Sequence, residues 1–439
     1  MKKRLICITL ASVMFLCSAC GNQNNPSAND VLTEDQESVK ESTEDDGMQE
    51  TPADNTASDD VLQKNQTTGI SIEMKTEEDK EQAEDGTVIY ISEISYPVVT
   101  IEGNEAAAEL INADILARVE SFKAGTSGED STKEMAKEMY DYMLEDEDKG
   151  YSFNAAYIED LGFGITRSDS NVISFLQTYT SYAGGAHGFE AHQGINYSAR
   201  TGELITISEL GEDVDAFYQD TLAYNQKLAE TESYKVRLFT EDSIYNGELE
   251  AALYMEGSWY FSMMGLVFFS DPYILGPYAA GMIEFIIPYS DLTEMGLKEE
   301  YTYSGKLMTQ LISQETYSRD INGDGTEDTF QFYTETKDDG SYETLVHFII
   351  NGTDFAQGED AELQEKFSAY AWSESYLLYD ADETDETLEF AFTSYVNEND
   401  DYVIYSNIYR YEKDGSLSYL GRIKGSVTDP TVDWVNLEQ

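Results

Sequence analysis

The residues best equipped for chemistry are two of the chain's three histidines, His187 and His192, which sit with Glu190 in Gly184-Gly-Ala-His-Gly-Phe-Glu-Ala-His-Gln-Gly194. Two imidazoles and a carboxylate are donors that zinc takes, and a metal-dependent hydrolase would use them as ligands. Three donors on a glycine turn follow no established ligand spacing, however, and a histidine between glycines also reads as a turn residue bonded to backbone. A harder set of donors lies further on. Asp320-Ile-Asn-Gly-Asp-Gly-Thr-Glu-Asp328 places side-chain oxygens of Asp320, Asn322, Asp324 and Asp328 at relative positions 1, 3, 5 and 9, with Gly325 at position 6 and the Thr326 carbonyl at position 7. Such a loop can wrap Ca2+, although Asx-rich loops also make ordinary turns. A looser copy offers Asp380, Asp382, Asp385 and Glu389. No G-x-S-x-G elbow and no phosphate loop is present.

The cysteines do different work. Cys7, Cys17 and Cys20 all fall in the N-terminal segment, which runs Met1-Lys-Lys-Arg-Leu, then apolar residues to Leu16, then Ser18-Ala19-Cys20. This is a signal peptide, too short to be read as a spanning helix. Its end resembles the lipobox of bacterial lipoproteins, with Cys17 where leucine is usual, so Cys20 is expected to be lipidated and to become the mature N-terminus. The alternative is an ordinary secretory peptide. After processing no internal disulfide and no further thiol remain. The most apolar later run, Met263–Phe269, is strand-sized, so the membrane is met through the lipid anchor only. A formal charge of −60 repels nucleic acid and anionic head groups and attracts cations and basic proteins, while also keeping an extracellular protein soluble.

The elements that must position these groups follow from pattern. Residues 20–86 hold no aromatic side chain from Gly21 on and read as a disordered acidic tether. Order is expected from Thr87: a strand pair, or one strand interrupted at Pro97, then a helix capped by Asn104 with Ala107, Leu110, Ile111, Ile115, Val119 and Phe122 on one face. Ser131 and Glu134 form a capping box for a second helix, whose Met135, Met139, Tyr142 and Met143 read as core. Short β runs follow past Gly150, among them Val172–Tyr182 and Ala191–Ser198, which Gly184 and Gly185 turn into a hairpin. A third helix over 214–229 and strands at Trp259–Phe269 and Met282–Ile287 complete the pattern. The fold class is α+β: an antiparallel sheet with two to three helices over 87–297, then a mainly β domain over 300–439.

Four motifs carry a family resemblance: Ser181-Tyr-Ala-Gly-Gly-Ala-His-Gly188, Thr201-Gly202 leading into Leu204-Ile-Thr-Ile-Ser-Glu-Leu210, Tyr273-Ile-Leu-Gly-Pro-Tyr-Ala-Ala-Gly281 and Ile287-Pro-Tyr289. Over 87–297 the chain resembles the extracellular module shared by the lysozyme-sensing anti-sigma factor RsiV and the peptidoglycan deacetylase PdaC. The resemblance implies binding of a lysozyme-like basic protein or wall glycan, with Tyr179, Tyr182, His187 and Phe189 near the contact. It does not carry over deacetylation, because that family's separate catalytic domain, with its metal-binding aspartate and His-x-x-x-His pair, is missing; His187 and His192 are five apart. The loop at Asp320 resembles the calcium loop of FG-GAP-type β repeats. The expectation is a lipid-anchored, outward-facing binding protein, with a cell-envelope metal-dependent hydrolase or an inert spacer as alternatives.

Overall fold

The computed structural model describes residues 63–64, 69–126, 131–145, 153, 155–239, 247–303, 305, 308–336, 343–355, 368–370, 374–379, 387–398, 401–429, 432 and 437. Cys20 and the acidic residues Asp380, Asp382 and Asp385 lie outside them. The architecture is α+β, as the pattern of elements implies.

A six-stranded sheet runs in sequence order through β1 (Gln63–Lys64), β2 (Ile70–Gln82), β3 (Val88–Ile101), β4 (Tyr157–Ser168), β5 (Val172–Tyr182) and β6 (Phe189–Ser198). All its pairings are antiparallel except β3 with β4, which lie parallel because α1 (Glu105–Gly125) and α2 (Thr132–Glu145) form the crossover between them. The expectation of a disordered tether up to residue 86 therefore fails over 70–82, which is a full strand. It needs no aromatic residue: Ile70 and Ile72 are buried, the backbone pairs with β3, and Lys123 and Lys133 of the helices reach Glu77 and Asp79. Residues 88–101 form one strand running through Pro97, not two.

Helix α1 buries Ala107, Ala108, Ile111, Ile115 and Val119 against this sheet, and Leu110 is left exposed. Asn104 sits at its N-cap position, but its amide donates to the Ala199 and Arg200 carbonyls instead of accepting from the first turn. In α2 the Ser131 hydroxyl does accept from Glu134 N–H, yet Ala136 and Tyr140 face inward while Met135, Met139 and Tyr142 are exposed. Of the stripe expected in the core, three members are thus on the surface and Met143 is half-buried. Tyr140, whose hydroxyl reaches Asp85, and the Tyr90/Tyr157 cluster fill the inner face.

The other side of the sheet is covered by α3 (Val214–Ala229), two short helices, α4 (Glu232–Lys235) and α5 (Glu248–Leu253), and a three-stranded sheet of β7 (Trp259–Phe261), β8 (Gly265–Ser270) and β9 (Ile283–Pro288). The single strand expected over 259–269 is a hairpin turning at Ser262–Met264, where the Ser262 hydroxyl accepts from the Met264 and Gly265 amides. The short α6 (Tyr289–Glu294) follows. Among the described residues no helix is long and apolar enough to cross a membrane.

Residues from Met308 on form two more sheets. One holds β10 (Met308–Leu311), β16 (Glu374–Tyr379), β17 (Leu388–Glu398), β18 (Asp401–Tyr411) and β19 (Leu417–Lys424). The other holds β11 (Tyr317–Arg319), β12 (Asp328–Thr336), β13 (Glu343–Ile350) and β14 (Thr353–Asp354), with β15 (Ser368–Tyr370) also on β13. Phe330 and Phe348 meet Phe390 in one shared core. Met263 and Met264, at the β7–β8 turn, pack on Met308, Tyr376 and Ile408, so this unit is seated against the preceding domain. Arg167, fully buried, braces the junction: it pairs with Asp169, donates to the Tyr289 hydroxyl and the Tyr301 and Thr302 carbonyls, and lies over the rings of Phe261, Tyr289 and Tyr303.

A buried polar side chain bridges the two central sheets. Asn196, on β6 and only 3% exposed, accepts from Ser174 Oγ of β5 at 2.6 Å and from Phe261 N–H of β7 at 3.0 Å, and donates to the Trp259 carbonyl. Replacement by leucine strands two donors and an acceptor in the interior, each costing about 1–3 kcal/mol when unpaired. Asn196→Leu is expected to lower stability by roughly 3 kcal/mol or more in denaturant unfolding, whereas a change under roughly 1 kcal/mol would show that the seam relaxes without it.

Candidate functional site

The β5–β6 hairpin ends in a turn over Ala183–Gly188, and the loop after β8 folds across to meet it. The turn is tight because Gly184 holds φ at +76°, and because a Cβ on Gly188 would stand 2.9 Å from the Ser181 carbonyl oxygen. Glycine resolves both constraints by having no side chain. The opposing loop is bent by a strained residue: Tyr273 has φ +71°, a conformation a bulky residue adopts only when its surroundings impose it. Here its N–H bonds the Gly276 carbonyl within the turn.

Between turn and loop lies a cleft of about 280 Å³, lined by Ser181, Ala183, Gly185, His187, Gly188, Phe189 and Glu190 on one side and Pro272, Tyr273 and Tyr278 on the other. His187 stacks on Tyr278 with ring centroids 4.1 Å apart, and its two nitrogens face the Gly188 carbonyl at 2.8 Å and the Tyr273 hydroxyl at 3.2 Å. Phe189 and Tyr273 are both more than half exposed, at 59% and 57%. Large apolar rings held open to solvent on a built frame mark an interaction surface.

His192 stands behind this rim. Its Nδ1 is 2.7 Å from Asp271 Oδ1, its backbone N–H reaches Asp271 Oδ2, and its Nε2 is 3.1 Å from Glu190 Oε1, while the ring meets the edge of Phe269. Burial disfavours the charged imidazole, but the hydrogen bonds and charges of Asp271 and Glu190 outweigh it and raise the pKa. Deeper in the sheet, the nearly buried Glu159 accepts from Tyr179 and Tyr90; burial, opposed by Ser181 and reinforced by Glu159, pushes the Tyr179 phenol up to about 12.

The residues singled out from sequence are thus partly brought together. His187 and Phe189 line the cleft, and Tyr179 lies under Phe189 with ring centroids 6.2 Å apart. Tyr182 does not join them. It is not among the side chains that line the cleft. Nor do His187, Glu190 and His192 converge: His187 is committed to the tyrosines, and among the described residues no three His, Cys, Asp or Glu side chains gather as metal ligands. Sequence reasoning missed Asp271, Tyr273 and Tyr278 as site residues. The run Tyr273–Gly281 was visible as a motif, but nothing local ties it to a hairpin about eighty positions earlier.

The acidic loop joins β11 to β12. Asp320 accepts from the Gly323, Asp324 and Gly325 amides, Asn322 from Asp324, and Asp324 from Thr326, with Gly323 and Gly325 at positive φ. Asn322 and Asp328 are buried, and Asp328 also accepts from the Asn351 amide. The loop abuts the start of β17, since Leu388 N–H donates to the Ile321 carbonyl. Glu389, at the end of the looser copy, is fully buried and paired with Arg410, which removes it as a free ligand.

Comparison with known proteins bears out the resemblance to the PdaC family. Residues 83–190 match the family described as Deacetylase PdaC, and residues 217–290 match the protein of unknown function DUF3298. The cleft therefore lies where the two domains meet, with the hairpin from the first and Pro272, Tyr273 and Tyr278 from the second. Similar solved structures include a DUF3298 family member from Bacteroides fragilis, 16% identical with TM-score 0.40, covering 53% of this chain and 96% of its own. Another is a DUF3298 family protein from Pseudomonas aeruginosa, 14% identical with TM-score 0.34, covering 52% of this chain and 94% of its own. No curated protein matches the chain.

Proposed function

We propose that the protein is a lipid-anchored, outward-facing binding protein of the cell envelope, non-catalytic, whose cleft between the β5–β6 turn and the Asp271–Tyr278 loop engages a basic, lysozyme-like protein. The observation that carries this reading is the rim of exposed Phe189 and Tyr273 around the stacked His187–Tyr278 pair. Aromatic anchors at the centre of an interface supply most of its energy. The PdaC-type and DUF3298-type domains support a cell-envelope role. The charge of −60 favours a cationic partner, whose encounter it accelerates. The second reading, a wall-glycan ligand, is favoured by the cleft itself, since its stacked rings and small volume suit a single planar or sugar ring more than a flat protein face.

The anchor of this reading is acylated Cys20. For the C-terminal loop we propose Ca2+, held by Asp320, Asn322, Asp324, the Thr326 carbonyl and Asp328; the three aspartates do not stand gathered as a ligand set in this structure, so the loop would have to close around the ion. These are the hard oxygen donors the ion prefers, and the positive φ of Gly323 and Gly325 lets the backbone curl tightly enough to present them. Bound calcium would neutralise acids that otherwise repel one another.

Three outcomes follow. Hen lysozyme is expected to bind the mature protein and to keep measurable affinity near 1 M salt, where the Debye length is about 3 Å. Phe189→Ala and Tyr278→Ala should each weaken it by roughly 1–3 kcal/mol, while Tyr182→Ala should not. Loss of all binding at moderate salt, or co-sedimentation with peptidoglycan but not lysozyme, would turn the assignment against a protein partner. For the loop, calcium at about a hundred times its dissociation constant should add about 2.7 kcal/mol of stability. Chelation should remove that gain and Asp324→Ala should never show it; a melting transition indifferent to both would reduce the loop to a turn. Finally, Cys20→Ser should move the protein from the membrane fraction to the medium, because stable anchoring requires more than one acyl chain on that residue.

A further inference from the structure

We infer that His192 is a positioning residue: by holding or releasing the Glu190 carboxylate, it sets whether the cleft offers a free negative charge to a cationic group of its ligand. The inference rests on the cleft being the binding surface and adds the regulation of that surface.

The geometry allows no neutral compromise. Both ring nitrogens of His192 face carboxylate oxygens, Asp271 Oδ1 at 2.7 Å and Glu190 Oε1 at 3.1 Å. Ionised carboxylates only accept, and a neutral imidazole has one donor and one acceptor. Only imidazolium satisfies both contacts at once. When the proton leaves, one nitrogen lone pair must face an acceptor, and the structure decides which.

The remaining proton stays on Nδ1, which donates it to Asp271. Asp271 grips His192 twice, through Nδ1 and through the backbone N–H, and its side chain is 20% exposed. Glu190 has the single, longer contact, and its side chain is 44% exposed, so water can hydrate it as soon as it lets go. Glu190 lines the cleft, and its release therefore changes the charge presented there. The other groups near His192 do not compete. Thr178 across β5 and Phe269 on β8 carry no charge, and His187 is engaged with the Gly188 carbonyl and Tyr273.

The sign is fixed by the same contacts. The pKa of His192 is raised above the ordinary imidazole value of about 6.5. The stabilising ion pairs are fully present below that ordinary value and are lost as pH rises through the raised folded value. Across that window the cleft gains a free carboxylate, so a cationic ligand should bind more tightly at the alkaline end.

Two readouts on the full chain test this. With histidine labelled for NMR, three imidazole resonances are expected, and in the absence of any ligand Glu190→Gln should lower the His192 titration midpoint; an unchanged midpoint overturns the inference whether or not lysozyme binds. In parallel, hen lysozyme affinity should rise about two- to fivefold between acid and alkaline limits, as for a partly exposed charge contact, with its midpoint tracking His192. In His192→Gln, which can hydrogen-bond but not charge, the rise should vanish. A rise that persists there, or a flat wild-type profile with lysozyme bound, rejects the mechanism while leaving the binding surface intact. Absence of lysozyme binding at every pH rejects the binding reading instead, and the titration alone then decides the coupling.

Discussion

The close approach of β6 to β7 is the constraint on which the site depends. Gly194 N–H donates to the Gly257 carbonyl at 2.7 Å, and a Cβ at Gly194 would lie 1.9 Å from the Trp259 carbonyl oxygen, so the two backbones touch where only glycine fits. Two residues on, Asn196 carries the contact into the interior through a chain of hydrogen bonds from Thr166 to Ser174 to Asn196. A buried polar group satisfied on every side is costly to displace, and that cost fixes one sheet against the other. The hairpin tip and the Asp271 loop project from the two sheets beyond this seam. They meet because the seam leaves them no other relation.

What was legible in the sequence were the elements with a single dominant signal. The hairpin of Val172–Tyr182 with its downstream partner was marked by β-branched and aromatic residues around a glycine pair, and α3 by its apolar spacing, and both stand where that pattern puts them. The strand at 70–82 was hidden because its stability comes from its neighbours. Its side chains are mostly charged and exposed, and it is held by the backbone ladder of β3 and by lysines of two helices. In α2 the apolar residues outnumber the places for them, so the periodicity named the methionines while the core took Ala136 and Tyr140.

The site was legible in halves. The hairpin half follows from local register, which pairs Ser181 with Phe189 and sets Phe189 over Tyr179. The pairing of His192 with Asp271 had no such signal. It depends on how one sheet lies on another, which no local pattern encodes. The glycine turn invited a metal reading because its histidines are close in sequence, yet they find different partners: tyrosines for His187, carboxylates for His192.

The central claim is that hairpin tip and loop act as one surface. Hydrogen exchange of the full chain with and without hen lysozyme tests it directly, because it reports backbone protection segment by segment without altering a residue. The account predicts that bound lysozyme slows exchange in 183–190 and in 271–279 together, leaving α1 and β16–β19 unchanged. Protection of one segment without the other, or confined to the acidic C-terminal loop, would contradict it.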